Sequence, residues 1–166
     1  MTKIDILVAL RHRPTLAGLV VPWITAHMPD GRYRFGAIDA QRLGASLRDH
    51  RCQICGEPTF RPFVFAMRDV DLPRLIAPEP PMHPECAHYS ATACPMLAGT
   101  MTRYRSEQQT NGEASGDPRN ARPGHAAHTW YLVWTTDYTP FLDPQTRQPA
   151  ARIALGDILR IRPIRR

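Results

Sequence analysis

The sequence predicts an α+β fold in which a small antiparallel sheet packs with short helices around a compact finger. Three observations support this prediction. Apolar, β-prone runs occur near both ends of the chain, two closely spaced pairs of Cys and His residues lie in the middle, and seventeen prolines against ten glycines favour short elements over a helical bundle. A chain of 166 residues is long enough for one domain with its own core.

The first half of the chain contains two predicted strands, a hairpin and a helix. Apolar residues favour strands at 4–10 and 19–28. The Pro-Asp-Gly turn that follows, with alternating aromatic residues after it, indicates a hairpin at 29–36. Asp39 is a predicted N-cap for a helix that ends near Asp49 and buries leucines at helical spacing.

The second half divides at a long polar segment. Residues 1–98 are predicted to form the N-terminal strands and the finger, including a hydrophobic strand at 60–67. Residues 99–127 are rich in Gly, Ser, Asn, Pro and charge, which indicates a flexible linker or insertion. Residues 128–166 are predicted to complete the same single domain. The elements expected there are a buried strand at 130–134, a turn at 143–144, and alternating strands at 152–155 and 156–166.

No segment of the sequence predicts a membrane span. The apolar runs at 4–10 and 16–25 are shorter than the roughly 20 residues that a spanning helix needs. No small-residue cleavage pattern of a signal peptide follows the first run. We therefore expect a soluble protein located in the cytoplasm.

Two pairs of residues predict a tetrahedral zinc site. The segment CQICG places Cys52 and Cys55 in a knuckle, a tight turn that aims two sulfurs at one point and ends on Gly56. The segment HPEC places His83 at the cap of a helix and Cys86 in its first turn, where the helix N-terminus favours the thiolate. A knuckle followed by such a helix is typical of a treble-clef finger. Because four ligands fill the coordination shell, the predicted role of Zn²⁺ is structural.

Cys94 is the alternative to His83 as fourth ligand. It lies eight residues after Cys86 in the same predicted helix, which separates the two by about 12 Å along the axis. One zinc ion cannot reach both unless the helix is broken, so we expect Cys94 to be a buried core residue. Two disulfides, a thioredoxin-like redox pair, and independent buried thiols are the other interpretations of four cysteines.

The basic residues predict a nucleic-acid partner, although composition offers a simpler explanation. The formal charge is +6, and all but one of the 21 basic residues are arginine, whose planar fork binds phosphate oxygens. The same excess, with abundant Ala, Pro and Gly, is typical of a GC-rich genome. Alternation in the last strand places its arginines on one face. The candidate phosphate-binding residues are Arg103, Arg105, Arg160, Arg162, Arg165 and Arg166.

The sequence contains no recognised catalytic constellation. It lacks the order of ligands found in zinc deaminases, and it has no phosphate-binding loop, nucleophile elbow or dinucleotide fingerprint. An HNH-type nuclease would need a histidine at 56–82, where there is none. Asp69 and Asp71 are candidates for a magnesium site or for plain solvated carboxylates, and His125 and His128 have no evident partner. We favour a non-enzymatic protein. An enzyme with an unrecognised active site ranks third, after a nucleic-acid-binding protein and a protein-interaction module.

Three segments resemble a family of small zinc-binding proteins of actinobacteria and their phages. They are RCQICGEPTFRPFVFAM, EPPMHPECAHYSATACPML, and VWTTDYTPF with the later ALGD. Members look like CW-x-CG-x-PLG, a hydrophobic strand, EPPSH-x-x-CA-x-YA-x-x-CPF and a tryptophan-rich strand near the end. The likeness covers most of residues 20–160 outside the linker, but Gln53 replaces an aromatic residue and the linker is longer. It implies a metal role for Cys52, Cys55, His83 and Cys86.

Two classes of function follow from these observations. The first is a nucleic-acid-binding accessory protein whose arginines meet the phosphates of DNA or RNA. The second is a protein-interaction module of phage or mobile-element origin that makes no nucleic-acid contact and binds a protein partner through exposed aromatic residues. The aromatic candidates, for which we favour a place in the core, are Trp130, Trp134, Tyr138 and Phe141.

Overall fold

A computed structural model of the chain describes residues 5–100 and 128–164. Within these residues the fold is α+β, as predicted, with short antiparallel sheets and two α-helices. The strands are β1 Thr15–Leu16, β2 Leu19–Val20, β3 Thr25–His27, β4 Tyr33–Ile38, β5 Phe63–Arg68, β6 Ile76–Ala77, β7 Trp130–Thr135, β8 Thr139–Leu142, β9 Pro149–Arg152 and β10 Ile158–Pro163. The helices are α1 Ala40–Arg48 and α2 Pro84–Ala93, with 3-10 turns at Val8–Leu10, Leu72–Arg74 and Leu155–Asp157.

The central sheet has the strand order β10-β7-β5 and lies between two hydrophobic cores. Because side chains alternate along a strand, β5 and β7 each contribute residues to both cores. The cysteine-side core, which also receives α2, includes Val64, Ala66, Leu132, Cys52, Cys55 and Cys86. The α1-side core includes Phe65, Met67, Val133, Leu43 and Leu47.

Helix α1 begins and ends where the sequence predicts. The Asp39 carboxylate accepts hydrogen bonds from the backbone N–H groups of Gln41 and Arg42. Asp39 is therefore an N-cap, because it satisfies N–H groups of the first turn that have no partner within the helix. Leu43 and Leu47 lie one turn apart, and both are buried in the α1-side core. The prediction of this helix is confirmed.

The strand predicted at 4–10 is wrong. The structure has a 3-10 turn at Val8–Leu10 instead, in the part of this segment that it describes. Ile6, Leu7 and Leu10 pack on the cysteine-side core while Val8 is exposed, so the apolar residues follow a helical rather than an alternating pattern. All five residues at 6–10 are apolar, so only their burial in the structure distinguishes the helical pattern from the alternating one.

The strand predicted at 19–28 is interrupted. Pro22 has no N–H to donate, and the next residues pair with the knuckle segment instead of a neighbouring strand, since the N–H groups of Trp23 and Ile24 donate to the carbonyls of Ile54 and Gln53. β2 and β3 are the two pieces that remain. The hairpin predicted after them is confirmed as β3 and β4, which pair antiparallel.

The segment after residue 128 contains a hairpin, β8–β9, and a strand of the central sheet, β7. β8 and β9 make a hairpin around the predicted Asp143 turn, which closes through a hydrogen bond from the Asp143 N–H to the Gln148 carbonyl. The strand expected at 152–155 is displaced, because pairing with β8 ends at Arg152 and Leu155 already belongs to a 3-10 turn. The buried strand predicted at 130–134 is confirmed as β7.

β10 is the outer strand of the central sheet. Its register against β7 shifts between Ile158 and Arg160, which marks a bulge. Beyond the strand, the Ile164 N–H donates to the Trp130 carbonyl at 2.9 Å. Within residues 5–100 and 128–164, no strand pairs with the other side of β10, so this strand has an open edge.

The segment between the two ligand pairs does not form one hairpin. β5 belongs to the central sheet and β6 pairs with β9 in another sheet. The knuckle and the helix of a treble clef are in their predicted places, whereas the treble clef itself stays a prediction. Residues 101–127, and with them most of the predicted linker, lie outside the described residues. No helix in the described ranges is long and apolar enough to cross a membrane.

Candidate metal centre

The knuckle at residues 52–56 is a tight turn closed by backbone hydrogen bonds. The Cys52 N–H donates to the Glu57 carbonyl at 2.8 Å, and the Gly56 N–H donates to the Cys52 carbonyl at 2.9 Å. Gly56 has φ +84°, the left-handed conformation that glycine adopts without a steric penalty. The Ile54 N–H points at the Cys52 sulfur at 3.4 Å, which stabilises negative charge on that atom.

The indole of Trp23 lies against the outer side of the knuckle. A Cβ built on Gly56 would stand 2.6 Å from the Trp23 Cδ1, so only glycine fits at this position. The backbone N–H of Trp23 donates to the Ile54 carbonyl, and the Arg42 guanidinium lies 5.5 Å from the centre of the indole ring, so both hold the residue in place. Gly56 therefore satisfies two requirements, a positive φ and close packing.

The second ligand pair is carried by the start of α2. His83 is the N-cap and Pro84 the first helical residue, so Cys86 lies in the first turn, as predicted. Gln53 fastens this segment to the knuckle, since its backbone N–H donates to the Pro81 carbonyl and its side-chain amide to the Pro80 carbonyl, both at 3.0 Å. These two hydrogen bonds fix the distance between the ligand pairs.

Four side chains converge at one point. The sulfurs of Cys52, Cys55 and Cys86 and a ring nitrogen of His83 all lie within 4.8 Å of one another. The His83 Nδ1 is 3.4 Å from the Cys55 sulfur and 3.9 Å from the Cys86 sulfur. A nitrogen and a sulfur on the same tetrahedral zinc ion would be about 3.5 Å apart, given bonds of about 2.0 and 2.3 Å. The cluster has a geometry that can bind a metal ion, and its donor set suits Zn²⁺.

A hydrogen bond outside the cluster selects the nitrogen of His83 that faces it. The Nε2 lies 2.9 Å from the Pro58 carbonyl oxygen. Since a carbonyl can only accept, Nε2 carries the proton and Nδ1 presents its lone pair to the three sulfurs. Such a partner is typical of metal-ligating histidines and holds the ring in orientation.

The electrostatics of the three thiols also favour a cation. Hydrogen bonds from Cys55 and Cys86 lower the pKa of the Cys52 thiol to about 3. The same contact with Cys52 raises the pKa of Cys86, because a second thiolate would stand beside the first. Three thiolates can coexist at this site only when a positive ion compensates their charge, so binding a metal displaces protons.

Cys94 does not belong to the cluster. It is the C-cap of an unbroken α2, at the opposite end of the helix from Cys86. The side chain is half-buried rather than fully enclosed, and burial raises the pKa of its thiol. His83 is therefore the fourth member of the group, and His88 is exposed on the far side of the helix.

The predicted arginine surface is described only in part. Arg103, Arg105, Arg165 and Arg166 lie outside the described residues. Arg160 and Arg162 pair across the sheet with Trp134 and Leu132, which are on the cysteine side, so both arginines project on that side. Both are exposed, and the Arg160 guanidinium lies 5.5 Å from the centre of the Trp134 ring.

The two aspartates that were candidates for a magnesium site each have a partner in the structure. Asp71 is buried and accepts two hydrogen bonds from the Arg68 guanidinium, at 2.7 and 2.8 Å. Asp69 lies 2.9 Å from the His128 ring. The two aspartates considered for magnesium are thus divided between an ion pair with Arg68 and a hydrogen bond with the His128 ring, and His128 does have a partner. His125 lies outside the described residues.

Two of the four aromatic candidates for a binding surface are core residues. Trp130 and Tyr138 are buried, on the cysteine side and the α1 side respectively. Trp134 and Phe141 are half-buried, each beneath an arginine, Arg160 and Arg152. The aromatic residues therefore do not form a continuous exposed surface.

No protein-family model, no curated protein and no solved structure matches this chain. The resemblance to the actinobacterial and phage family stays a prediction.

Proposed function

We propose that the cluster binds one structural Zn²⁺ and that the protein is a non-enzymatic accessory factor that binds nucleic acid. The structural role rests on the donor count, because four protein ligands leave no open position for a substrate or water. Cys52 and Cys86 are almost fully buried, which also favours a structural ion.

The single observation that supports the nucleic-acid partner is the pair of arginines on β10. Arg160 and Arg162 are exposed on one side of the strand, and neither has a carboxylate partner within the described part of the chain. Other arginines, such as Arg32 and Arg61, are paired with Asp30 and Asp137. Arginines without a carboxylate are the ones that can neutralise phosphate.

Fluorescence anisotropy across a salt series tests this proposal. The zinc-loaded protein is titrated into labelled duplex DNA, single-stranded DNA and RNA of equal length. Log affinity should fall linearly with log salt, because each phosphate contact releases condensed counterions. Replacing both Arg160 and Arg162 with Ala should reduce the slope for duplex DNA by nearly 2, at about 0.9 for each lost contact.

The matched control is the Arg32→Ala, Arg61→Ala protein, which loses the same charge from exposed residues that already have carboxylate partners. It should keep the wild-type slope to within the error of the measurement. Equal effects in the two variants would mean that only net charge matters. No binding of the wild type to any of the three nucleic acids at low salt would refute the proposal.

A protein partner is the second candidate, for one specific reason. Leu155, Leu159 and Ile161 are exposed by 76%, 60% and 44% on or beside the same strand. Exposed apolar residues beside arginines are common in protein interfaces. A wild-type protein that binds no nucleic acid, but is captured by one defined protein and released by Leu159→Ser, would favour this alternative.

A further inference from the structure

Two arginines from distant parts of the chain converge beside the knuckle. Arg13 donates from Nε and Nη2 to the Val21 carbonyl, at 3.3 and 3.2 Å. Arg42 donates from Nη1 to the Trp23 carbonyl at 2.7 Å. The two guanidinium groups therefore bind carbonyls two residues apart on the same short segment.

The positive charge of this pair is incompletely balanced. Among the described residues, no carboxylate forms an ion pair with Arg13 or Arg42, and both side chains are half-buried. Burial lowers the pKa of Arg13, the neighbouring Arg42 lowers it further, and the nearby Tyr33 and Cys55 act in the opposite direction. With zinc bound, three thiolates leave the metal cluster with a net charge of only −1 against two guanidinium groups.

The remaining donors are available to a ligand. A guanidinium has five N–H groups, and backbone carbonyls use only part of this set. Within the described part of the chain no hydrogen bond engages the Arg13 Nη1, or the Nε and Nη2 of Arg42. The carbonyls restrain both groups, which lowers the entropy lost when a ligand binds.

We propose that Arg13 and Arg42 form a second phosphate-contact site, which takes one backbone phosphate of the nucleic acid that β10 binds. This proposal rests on the proposed function. Leu10, three residues before Arg13, and Val20, next to the Val21 carbonyl that Arg13 binds, pack in the cysteine-side core. Arg160 and Arg162 project on the same side of the central sheet.

A nucleic acid suits two separate arginine pairs better than a phosphorylated peptide does. Its phosphates repeat along the chain, so one molecule can contact both pairs, whereas a phosphopeptide offers one dianion to one pair. Phosphate contacts carry no sequence information, so the site should bind different sequences with similar affinity.

Side-chain NMR of the full zinc-loaded chain tests the site directly. The Nε–Hε signals of Arg13 and Arg42 are followed during titration with a short single-stranded DNA, a phosphoserine peptide and inorganic phosphate. We expect both signals to shift with the DNA, along the same saturation curve as the anisotropy, and at lower concentration than with the other two probes.

Two double variants complete the test. Arg13→Gln with Arg42→Gln should reduce the salt slope for duplex DNA by about 0.9, as loss of one phosphate contact requires, while Arg32→Gln with Arg61→Gln should not. Arg13→Lys with Arg42→Lys keeps the charge but loses the fork, and should weaken binding with a smaller change in slope. Zinc content and far-UV circular dichroism show whether each variant is folded. If the Gln variant does not fold, the NMR titration of the wild type decides whether Arg13 and Arg42 bind phosphate.

Each contrary result has its own meaning. Unshifted Arg13 and Arg42 signals while the DNA binds would overturn this site and leave the proposed function intact. A phosphopeptide that shifts them at lower concentration than the DNA would show that the partner class is wrong. A wild type that binds no nucleic acid at all would overturn both proposals.

Discussion

His83 shows how one backbone contact decides the chemistry of a side chain. Its Nε2–H is committed to the Pro58 carbonyl, which leaves Nδ1 as the donor atom toward the three sulfurs. Pro58 itself follows the knuckle by only two residues, so the turn that carries Cys55 also orients the histidine. The turn thus positions ligands on both sides of the cluster.

Replacing Cys52 with Ser should abolish zinc binding and folding together. Structural zinc contributes about 10–16 kcal/mol of apparent free energy in finger peptides, comparable with the whole stability of an ordinary domain. Metal analysis should find no zinc on the variant, and circular dichroism should show an unfolded chain. The Cys94→Ser protein is the control and should retain one zinc per chain, because Cys94 lies outside the cluster. Full zinc content and an unchanged melting temperature in Cys52→Ser would show that the assignment of the site is wrong.

The Asp143 carboxylate should make the free energy of unfolding decrease as the pH falls into the acid range. Burial opposes its ionisation, but hydrogen bonds from Arg74 and from the Gln145 N–H outweigh that effect and lower its pKa below 3.8. A lowered pKa in the folded state contributes stability that is fully present above the unfolded value and is lost as the pH falls through the folded one. Asp143→Asn should cost about 1 kcal/mol at neutral pH, since Arg74 is partly exposed.

The difference between wild type and Asp143→Asn, measured by urea unfolding, should shrink as the pH falls from about 5 to about 3. Both proteins are compared only at pH values where metal analysis still finds one zinc per chain, because protonation of the thiolates releases the ion. A constant difference over this range would mean that Asp143 stabilises the fold through its turn rather than through its charge.

At the scale of elements, the knuckle and Trp23 form one packed unit. The backbone of Trp23 and Ile24 binds the knuckle carbonyls, while the indole covers Gly56. Arg42, from the first turn of α1, then lies over the indole. A change at the knuckle is therefore transmitted to α1 through a single aromatic ring.

Gly56→Ala should be far more damaging than Gly31→Ala. Both glycines have φ +84°, so an alanine suffers the same backbone strain of about 1–2 kcal/mol at each. Only at Gly56 does the new Cβ meet a neighbour, the Trp23 indole at 2.6 Å, which adds about 1–3 kcal/mol of overpacking. Gly56→Ala should have a lower melting temperature than Gly31→Ala, and it should lose zinc more readily to a competing chromophoric chelator. Equal losses in the two variants would mean that the indole moves aside without cost.

Elements with local signals could be predicted from the sequence. The Asp39 cap identified α1, Pro84 identified the start of α2, and a Pro-Asp-Gly turn identified the β3–β4 hairpin. Elements that depend on distant partners could not be predicted. The segment after Pro22 is not a strand because it pairs with Gln53 and Ile54, about thirty residues later in the chain.

The same division applies to the candidate site. The grouping of its four residues was predictable because a turn and a helix start fix each pair locally. Trp23, the Pro58 carbonyl and the amide of Gln53 were missed as supporting groups, since their contacts join residues between 25 and 33 positions apart. The signals available in the sequence were Gly56 at the end of the knuckle and the polar Gln53 inside it. Neither signal identifies the distant residue that it contacts.

At the scale of the whole molecule, the two cores share the strands that separate them. β5 and β7 supply alternate side chains to each side, so one core cannot be lost while the strands stay paired. The metal cluster belongs to the cysteine-side core, but its loss should also unfold the α1 side. We expect a single cooperative unit across the central sheet.

Removal of zinc with EDTA should therefore change all spectroscopic signals together. The three tryptophans report on the cysteine side, because Trp130 and Trp134 pack in that core and Trp23 covers the knuckle. Tryptophan emission and far-UV circular dichroism should follow the same time course and recover together when zinc is restored. Emission that changes while the circular dichroism persists would reveal a chain in which the α1 side folds independently.

The open edge of β10 has three features that disfavour pairing with a second copy of the chain. The Ile164 N–H bonds to β7, so alternation directs the backbone groups of Ile161 and Pro163 away from the sheet. Pro163 has no N–H, the bulge near Ile158 bends the strand, and the arginines repel a second copy. An approaching strand finds one N–H donor at 161–163 where an ordinary edge would offer two. We therefore expect the last strand to resist edge-to-edge aggregation although it exposes apolar side chains.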